Sequence, residues 1–214
     1  MKGLFITFEG TEGSGKTTQI ATLTEMLRGL GHTVRTLREP GGTAIGEEIR
    51  HTLKHSEANR NMTPEAELLL MNASRAQLVR EIIQPALAAG EIVVCDRFYD
   101  STIAYQAYGR GLDLKQVERV IAVAAGGTQP DLTLLLMVPV SVSEFRRRGR
   151  VAERDRMEEA DRAFFERVEK GYEAIAAAQK RRVRRIDATL SVQEVAEQVW
   201  AAMEPHLKKA GRKR

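Results

Sequence analysis

The feature that most constrains this chain is the run Gly10 to Thr17, GTEGSGKT. It fits the spacing G-x-x-x-x-G-K-[ST] and stands between an apolar segment, Leu4 to Phe8, and a helix-like segment opening at Lys16. A strand that runs through a glycine-rich turn into a helix aims several backbone N–H donors at one point, where the helix dipole adds positive charge. The group such a cradle suits is a nucleoside triphosphate. Gly10, Gly13 and Gly15 permit the close approach; Thr11, Glu12, Ser14 and Thr18 complete the loop. Lys16 reaches the β- and γ-phosphates as a point charge, and the Thr17 hydroxyl takes one octahedral position on a magnesium ion.

A loop of this kind needs a strand before it and a helix after it, and the rest of the sequence repeats that alternation. Ile20, Leu23, Leu27 and Leu30 recur at helical spacing until Gly31. Further strands are predicted over His32 to Leu37, Glu91 to Cys95, Leu132 to Val138 and Arg182 to Ile186. Helices are predicted over Ala44 to Leu53, Pro64 to Ala89, Asp113 to Ala124, Val142 to Arg148, Ala160 to Gln179 and Val192 to Leu207. Short helical turns begin near Ser101, Ser56 to Met62 reads as a polar connection, and Pro85 should kink or split its helix. Five strands alternating with helices imply an α/β fold, a five-stranded parallel sheet with helices on both faces and the first strand at its centre.

At 214 residues the chain fits one domain, read as residues 1–207, with an arginine-rich lid at about 149–157 and a basic tail, 208–214. No apolar run approaches the roughly 20 residues a membrane span requires, and no leader is evident before the first strand, so the expected location is the cytoplasm. Cys95 ends the apolar run Ile92-Val93-Val94, where a buried, inert thiol is expected. A net charge of +4 suits an enzyme handling polyanions. The basic tail adds only weak adhesion to nucleic acid, and no specific nucleic-acid partner is expected.

A phosphate loop alone does not separate kinases from GTPases, motors or transporter ATPases. No guanine-reading N-K-x-D segment is present, nor are the assembly elements of a motor. A small kinase is the economical reading, with a second anion site for its acceptor built from Arg38, Arg50 and Arg97, since arginine forks grip phosphate oxygens in two places. A kinase for any of several nucleoside monophosphates, an idle nucleotide-binding module and a basic nucleic-acid-associated protein all remain open at this level.

Several further motifs narrow the choice: EGTEGSGKTT at Glu9 to Thr18, REPGGT at Arg38 to Thr43, SRAQLV at Ser74 to Val79 and DRFYDSTIAYQ at Asp96 to Gln106. GRG at Gly109 to Gly111, PDLTLLL at Pro130 to Leu136 and DRME at Asp155 to Glu158 follow in order. With these the chain resembles the thymidylate kinases of the bacterial kind over nearly its whole length. The resemblance implies the P-loop kinase fold, ATP and dTMP as substrates, magnesium as cofactor, and a homodimer. It implies that Gly10 through Thr18 bind ATP, that Thr17 and Asp96 serve the metal, and that Lys16, Asp96, Arg97 and Arg156 carry catalysis. For dTMP it implies Arg50 and Arg97 on the phosphate, Glu39, Pro40 and Ser101 shaping the pocket, Tyr105 against the sugar, and Arg75 with Gln106 at the base edge. Because Glu12 makes the loop acidic, the transition-state arginine is expected from the lid, at Arg156, with Arg150 and Arg154 as neighbours. The family's stacking phenylalanine, four residues before the base-reading arginine, is here Met71, followed by Asn72.

Overall fold

A computed structural model describes residues 3–148 and 160–211. Its core is one sheet of five parallel strands in the order β2-β3-β1-β4-β5: β1 is Leu4–Glu9, β2 Val34–Arg38, β3 Ile92–Asp96, β4 Leu132–Met137 and β5 Val183–Asp187. The near-continuous apolar runs of the inner strands follow from cover on both faces. Leu4, Phe5, Ile6 and Phe8 of β1 are all buried, each residue type burying enough apolar surface to contribute about 2 kcal/mol. Alternation along β1 divides them. Leu4, Ile6 and Phe8 face Leu23 and Leu27 of helix α1 (Lys16–Gly29) and Val195, Val199 and Met203 of the last helix. Phe5 faces the opposite layer, where its ring meets that of Phe98 edge-on at 5.0 Å.

That layer contains α2 (Ala44–Lys54), α3 (Pro64–Leu78), the short α4 (Gln84–Ala88) and, past a brief helical turn α5 (Tyr99–Thr102), α6 (Leu114–Ala125). Pro64 occupies the first turn of α3, with Thr63 capping it through Ala66 N–H. The expected division at Pro85 takes the form of a π turn, Val79–Ile83, between α3 and α4, with Gln84 N–H reaching back to Val79 O; widening the helix there accommodates a residue that has no N–H to give. A second π segment, Ile103–Gly109, continues α5, so this stretch is helical well beyond the short turn expected. Residues 56–62 form a 3₁₀ turn, Glu57–Asn61.

Beyond β4, α7 (Val140–Arg148) leads toward residues 149–159, and α8 (Arg162–Ala178) packs Phe164, Phe165, Val168 and Tyr172 against Tyr105 and Leu135. The last helix, α9 (Val192–Gly211), continues past the expected end at Leu207. Lys208 pairs with Glu204 at 3.1 Å, and cations suit a helix C-terminus, so Lys208 and Lys209 belong to the helix rather than to a tail. No helix among the described residues is long and apolar enough to cross a membrane.

Because β1 lies between β3 and β4, the strand order reverses around it and a crevice opens at the carboxyl ends of the strands. Gly10 leaves β1 there, and Arg97 leaves β3 beside it, its N–H bonded to Phe8 O at 2.9 Å.

Candidate active site

The phosphate loop adopts the conformation its glycines permit. Gly10, Gly13 and Gly15 have φ of 131°, 76° and 90°, and a Cβ at Gly10 would collide with the carbonyl of Leu136. Gly15 caps α1, so the first N–H groups of that helix open onto the loop. Lys16 folds over it, Nζ donating to Gly10 O at 3.1 Å and to Thr11 O at 3.0 Å. Burial lowers the Lys16 pKa, with Arg97 pressing the same way and Glu12 opposing. Thr11 and Ser14 are buried in the loop, while Thr17 and Thr18 line the cleft above it together with Lys16, Asp96 and Arg97.

Against this cleft lies a second pocket, lined by Pro40, Met71, Arg75, Ser101, Tyr105 and Gln106 among others. Glu12, Glu39, Lys54 and Arg97 border both cavities, so the two adjoin. The phosphate cleft is predominantly polar and the second pocket predominantly apolar, the division a phosphate-bearing aromatic ligand demands.

Arg97 stands at the junction with φ of 68°, a left-handed conformation that a residue with a Cβ adopts at a cost. Its guanidinium is held on several sides: Nη2 to Glu12 Oε1 at 2.8 Å and to Tyr105 Oη at 3.3 Å, Nη1 to Ser101 Oγ at 3.0 Å and Tyr172 Oη at 3.1 Å. It also lies over the Tyr105 ring, 5.1 Å from the centroid. Among the described residues the orienting hydrogen bonds therefore come from Glu12 and three hydroxyls rather than from Asp96. Burial would raise the Glu12 pKa, yet Arg97, Lys16 and Lys54 together outweigh it and hold that carboxyl well below the usual range. The Tyr105 hydroxyl is pushed up to about 12 by burial, with Arg97 opposing, so it remains a neutral phenol.

Behind Arg97 sits Glu9, a residue to which sequence reasoning gave no role. It is buried at the end of β1, where Oε1 accepts from Phe98 N–H at 2.8 Å and Oε2 from Ser101 Oγ at 2.5 Å and Tyr172 Oη at 3.1 Å. Two of the three hydroxyls that hold Arg97, those of Ser101 and Tyr172, are thus themselves held by Glu9. Burial, reinforced by Asp100, raises the Glu9 pKa to about 7. A carboxylate closing an apolar strand immediately before the loop's first glycine was the available signal. Tyr172, on the buried face of α8, also has its hydroxyl in this network.

The other expected anion contacts fare differently. Arg38 spends its fork on Glu47, with both bonds at 2.9 Å, and is half-exposed. Arg50 donates to Pro40 O at 2.9 Å, bracing the Glu39-Pro40 turn, while lining the phosphate cleft. Arg75 is almost fully buried and donates to Glu39 Oε2 through Nε at 2.8 Å and Nη2 at 2.6 Å, with Nη1 on Asn72 Oδ1 at 2.8 Å. Asn72 is itself braced on Leu68 O, so the residue after Met71 takes part in aiming the arginine. Burial raises the Glu39 pKa against the pull of Arg75.

Two oxygen donors fit a magnesium ion. Asp96 Oδ1 is buried with no hydrogen-bond partner among the described residues, and Asp96 lines the same cleft as the Thr17 hydroxyl. Few protein ligands beside a phosphate cradle suit a hard ion that keeps several waters, and no cluster of three or more metal-ligating side chains occurs among the described residues. The loop is also tied to α7, since Ser143 Oγ donates to Glu12 O at 2.7 Å and Arg146 Nη1 to Gly13 O at 3.3 Å and Ala188 O at 3.1 Å. Arg156, with Arg150, Arg154 and the expected lid, lies outside the described residues.

A profile of the thymidylate kinase family matches residues 8–199. The chain is 50% identical over 204 residues to a thymidylate kinase of Synechococcus sp. (strain JA-2-3B'a(2-13)), covering 95% of this chain and 96% of that protein. It is 48% identical over 208 residues to a thymidylate kinase of Thermomicrobium roseum, with 97% and 98% covered. Among solved structures, the thymidylate kinase from Ehrlichia chaffeensis matches with a TM-score of 0.79 at 31% identity, covering 95% of this chain and 100% of that one.

Proposed function

Because the chain belongs to the thymidylate kinase family, we infer that its adjoining pockets perform one reaction, transfer of the γ-phosphoryl group of ATP to dTMP, giving dTDP and ADP. The observation that carries this reading is the shared border of the two cavities at Glu12, Glu39, Lys54 and Arg97. A nucleoside monophosphate with its base among Met71, Arg75 and Gln106 has its phosphate at Arg97, facing the end of a triphosphate cradled by Gly10 through Thr18.

Each residue then has a physical task in this reading. The loop amides and Lys16 bind the donor's phosphates, and their spacing fixes the γ-phosphorus. Arg97 and Arg50 neutralise the acceptor phosphate so that two anions can approach. Glu39, Pro40 and Ser101 shape the acceptor cavity, and Tyr105 closes it on the sugar side where a 2′-hydroxyl would crowd its ring. Phosphoryl transfer requires little covalent help from a protein and gains chiefly from such positioning and charge neutralisation. Thr17 and Asp96 would hold a magnesium ion, which would supply positive charge to offset that of the donor's phosphates. Arg156 is proposed as the cation that completes the charge balance, since the loop's own variable position holds Glu12, an anion.

Two finer readings accompany this one. Leu69 of α3 and Val123 of α6 are large, exposed apolar residues on helices that pack together, which supports a homodimer through that face; light scattering on the purified chain tests it. The cytoplasm, where ATP is supplied, is the proposed location. The reaction is tested by ADP release with dTMP, dUMP, dCMP, UMP, GMP and AMP as acceptors. The expected result is turnover greatest with dTMP; faster turnover with dCMP or UMP, or none with any acceptor, overturns it.

A further inference from the structure

Glu67, on α3, is completely buried, and the reaction above leaves it without a task. Its carboxylate counts Arg110 and Gln106 among its partners. Arg110 lays its guanidinium along both oxygens, Nε to Oε1 at 3.2 Å and Nη2 to Oε2 at 3.0 Å, and is itself backed by the Phe164 ring 4.7 Å away. The second of these is Gln106, which donates through Nε2 to Glu67 Oε1 at 2.8 Å; Gln106 is buried and lines the acceptor pocket.

A side-chain amide has two poles of nearly identical shape and opposite hydrogen-bonding character, so its meaning to a ligand depends on which pole is committed elsewhere. A carboxylate gripped by a guanidinium accepts and does not donate. Beside it, the Gln106 amide must turn its NH₂ inward, and the pole it can offer the pocket is the carbonyl oxygen. That distinction matters for pyrimidines. Thymine presents an N3–H donor next to its O4 acceptor, whereas cytosine presents an N3 acceptor next to an amino donor. A carbonyl oxygen from Gln106 together with guanidinium donors from Arg75 matches the first pattern and opposes the second at both positions.

We propose that Glu67 is a specificity-determining residue, fixing the orientation of the Gln106 amide so that the pocket accepts a base with an N3–H and rejects one without it. The proposal rests on the reading of Gln106 as a reader of the base edge. Glu67 touches no substrate in it; it is a positioning residue acting through Gln106.

The experiment compares kcat/KM for dTMP and dCMP in the full chain with saturating ATP, for Glu67→Gln, Glu67→Asp and Gln106→Leu. Glutamine at 67 is nearly isosteric but can donate as well as accept, so Gln106 becomes able to turn over. Aspartate keeps the charge on Arg110 but withdraws by one methylene from Gln106. The dTMP-over-dCMP ratio is expected to fall roughly tenfold or more in both variants, the size of a hydrogen bond to an unpaired group. The change should appear in KM for the acceptors while KM for ATP stays in place. Should one variant fail to fold, the other reads the same ratio. An unchanged ratio in folded protein of either kind overturns the proposal, as does an equal loss for both acceptors, which is what a merely structural role produces. Gln106→Leu separates the premise from the proposal. If it leaves the ratio untouched, Gln106 does not read the base and the underlying assignment fails. If it lowers the ratio while the Glu67 variants do not, the assignment stands and the role of Glu67 falls.

Discussion

Arg97 Nη2 lies 2.8 Å from Glu12 Oε1, so the acid inside the phosphate loop and the arginine ending β3 form an ion pair at the border common to both pockets. The pair joins the donor cradle to the acceptor cavity. It also positions Arg97 before any substrate arrives, with Ser101, Tyr172 and Tyr105 supplying hydroxyls to the same guanidinium. Lysine at this position keeps a charge but loses the planar fork that these partners and a phosphate share. Arg97→Lys is therefore expected to lower kcat/KM for dTMP by about a hundredfold, while affinity for ATP, measured by calorimetry, changes little. Near-normal kcat/KM for dTMP would deny Arg97 the acceptor phosphate.

Glu9 makes the fold sensitive to pH. Its carboxyl has a folded-state pKa near 7 instead of 4.5, raised by burial and by Asp100. A raised carboxyl pKa means that between these two values the folded chain holds a proton the unfolded chain has released, so stability falls as pH rises through that window. Glu9→Gln, which cannot ionise, should lose less stability than the parent between pH 5 and 7. Urea denaturation of both proteins at intervals across the window checks this, and parallel curves would contradict it.

Much of this molecule is legible in the sequence because its strongest signals are local. The glycines of the loop, the apolar runs of β1, β3 and β4 and the helical spacing of Phe164, Phe165, Val168 and Tyr172 each state their own conformation, and the central place of β1 follows once it must end in the loop. What stays illegible is long-range and polar. Nothing near Glu9 in sequence announces Tyr172 as its partner, and nothing near Glu67 announces Gln106 or Arg110. Arg38 reads as an anion ligand from its place at a strand end, yet Glu47 one helical turn into α2 takes its fork. The π turn at Val79–Ile83 is hidden for a related reason, since the bonds that shift from four residues to five there accommodate Pro85 and do not follow from propensity.

Asp100 and Arg182 form another buried pair, with Nη1 to Oδ2 at 2.6 Å and Nη2 to Oδ1 at 2.7 Å, tied to Thr133 of β4. Removing one partner strands the other charge in a side-chain environment that is 1% exposed at Asp100 and 10% at Arg182. Asp100→Ala and Arg182→Leu are each expected to cost about 3–5 kcal/mol, and the double variant distinctly less than their sum. Additive losses in a denaturation double-mutant cycle would show that the pair is not energetically coupled.

The acidic loop leaves Lys16 as its own cation toward the transferring phosphoryl group, and Glu12 is already engaged with Arg97. Arg156 is the proposed supplement. Arg156→Ala should lower kcat by roughly a hundredfold or more, scaled from arginine-finger effects, with little change in KM for dTMP. Unchanged turnover would remove Arg156 from this role and direct attention to Arg150 and Arg154.

Met71 gives the most direct test of the base pocket. The resemblance read from the sequence implies a phenylalanine at this position; methionine lines the pocket with a flexible, polarisable chain that must be ordered whenever a base binds. A phenylalanine loses less rotamer freedom and offers a flat face to the ring, a contact worth about 1 kcal/mol. Asn72 and Arg75 are anchored by Leu68 O and Glu39 and do not depend on the Met71 side chain, so the base edge should be read as before. Met71→Phe is accordingly expected to lower KM for dTMP by about fivefold with kcat nearly unchanged, because tighter ground-state contact with the base is retained equally in the transition state. An increase in KM would mean that the methionine fills a pocket too narrow for a ring, and that the acceptor binds away from residue 71.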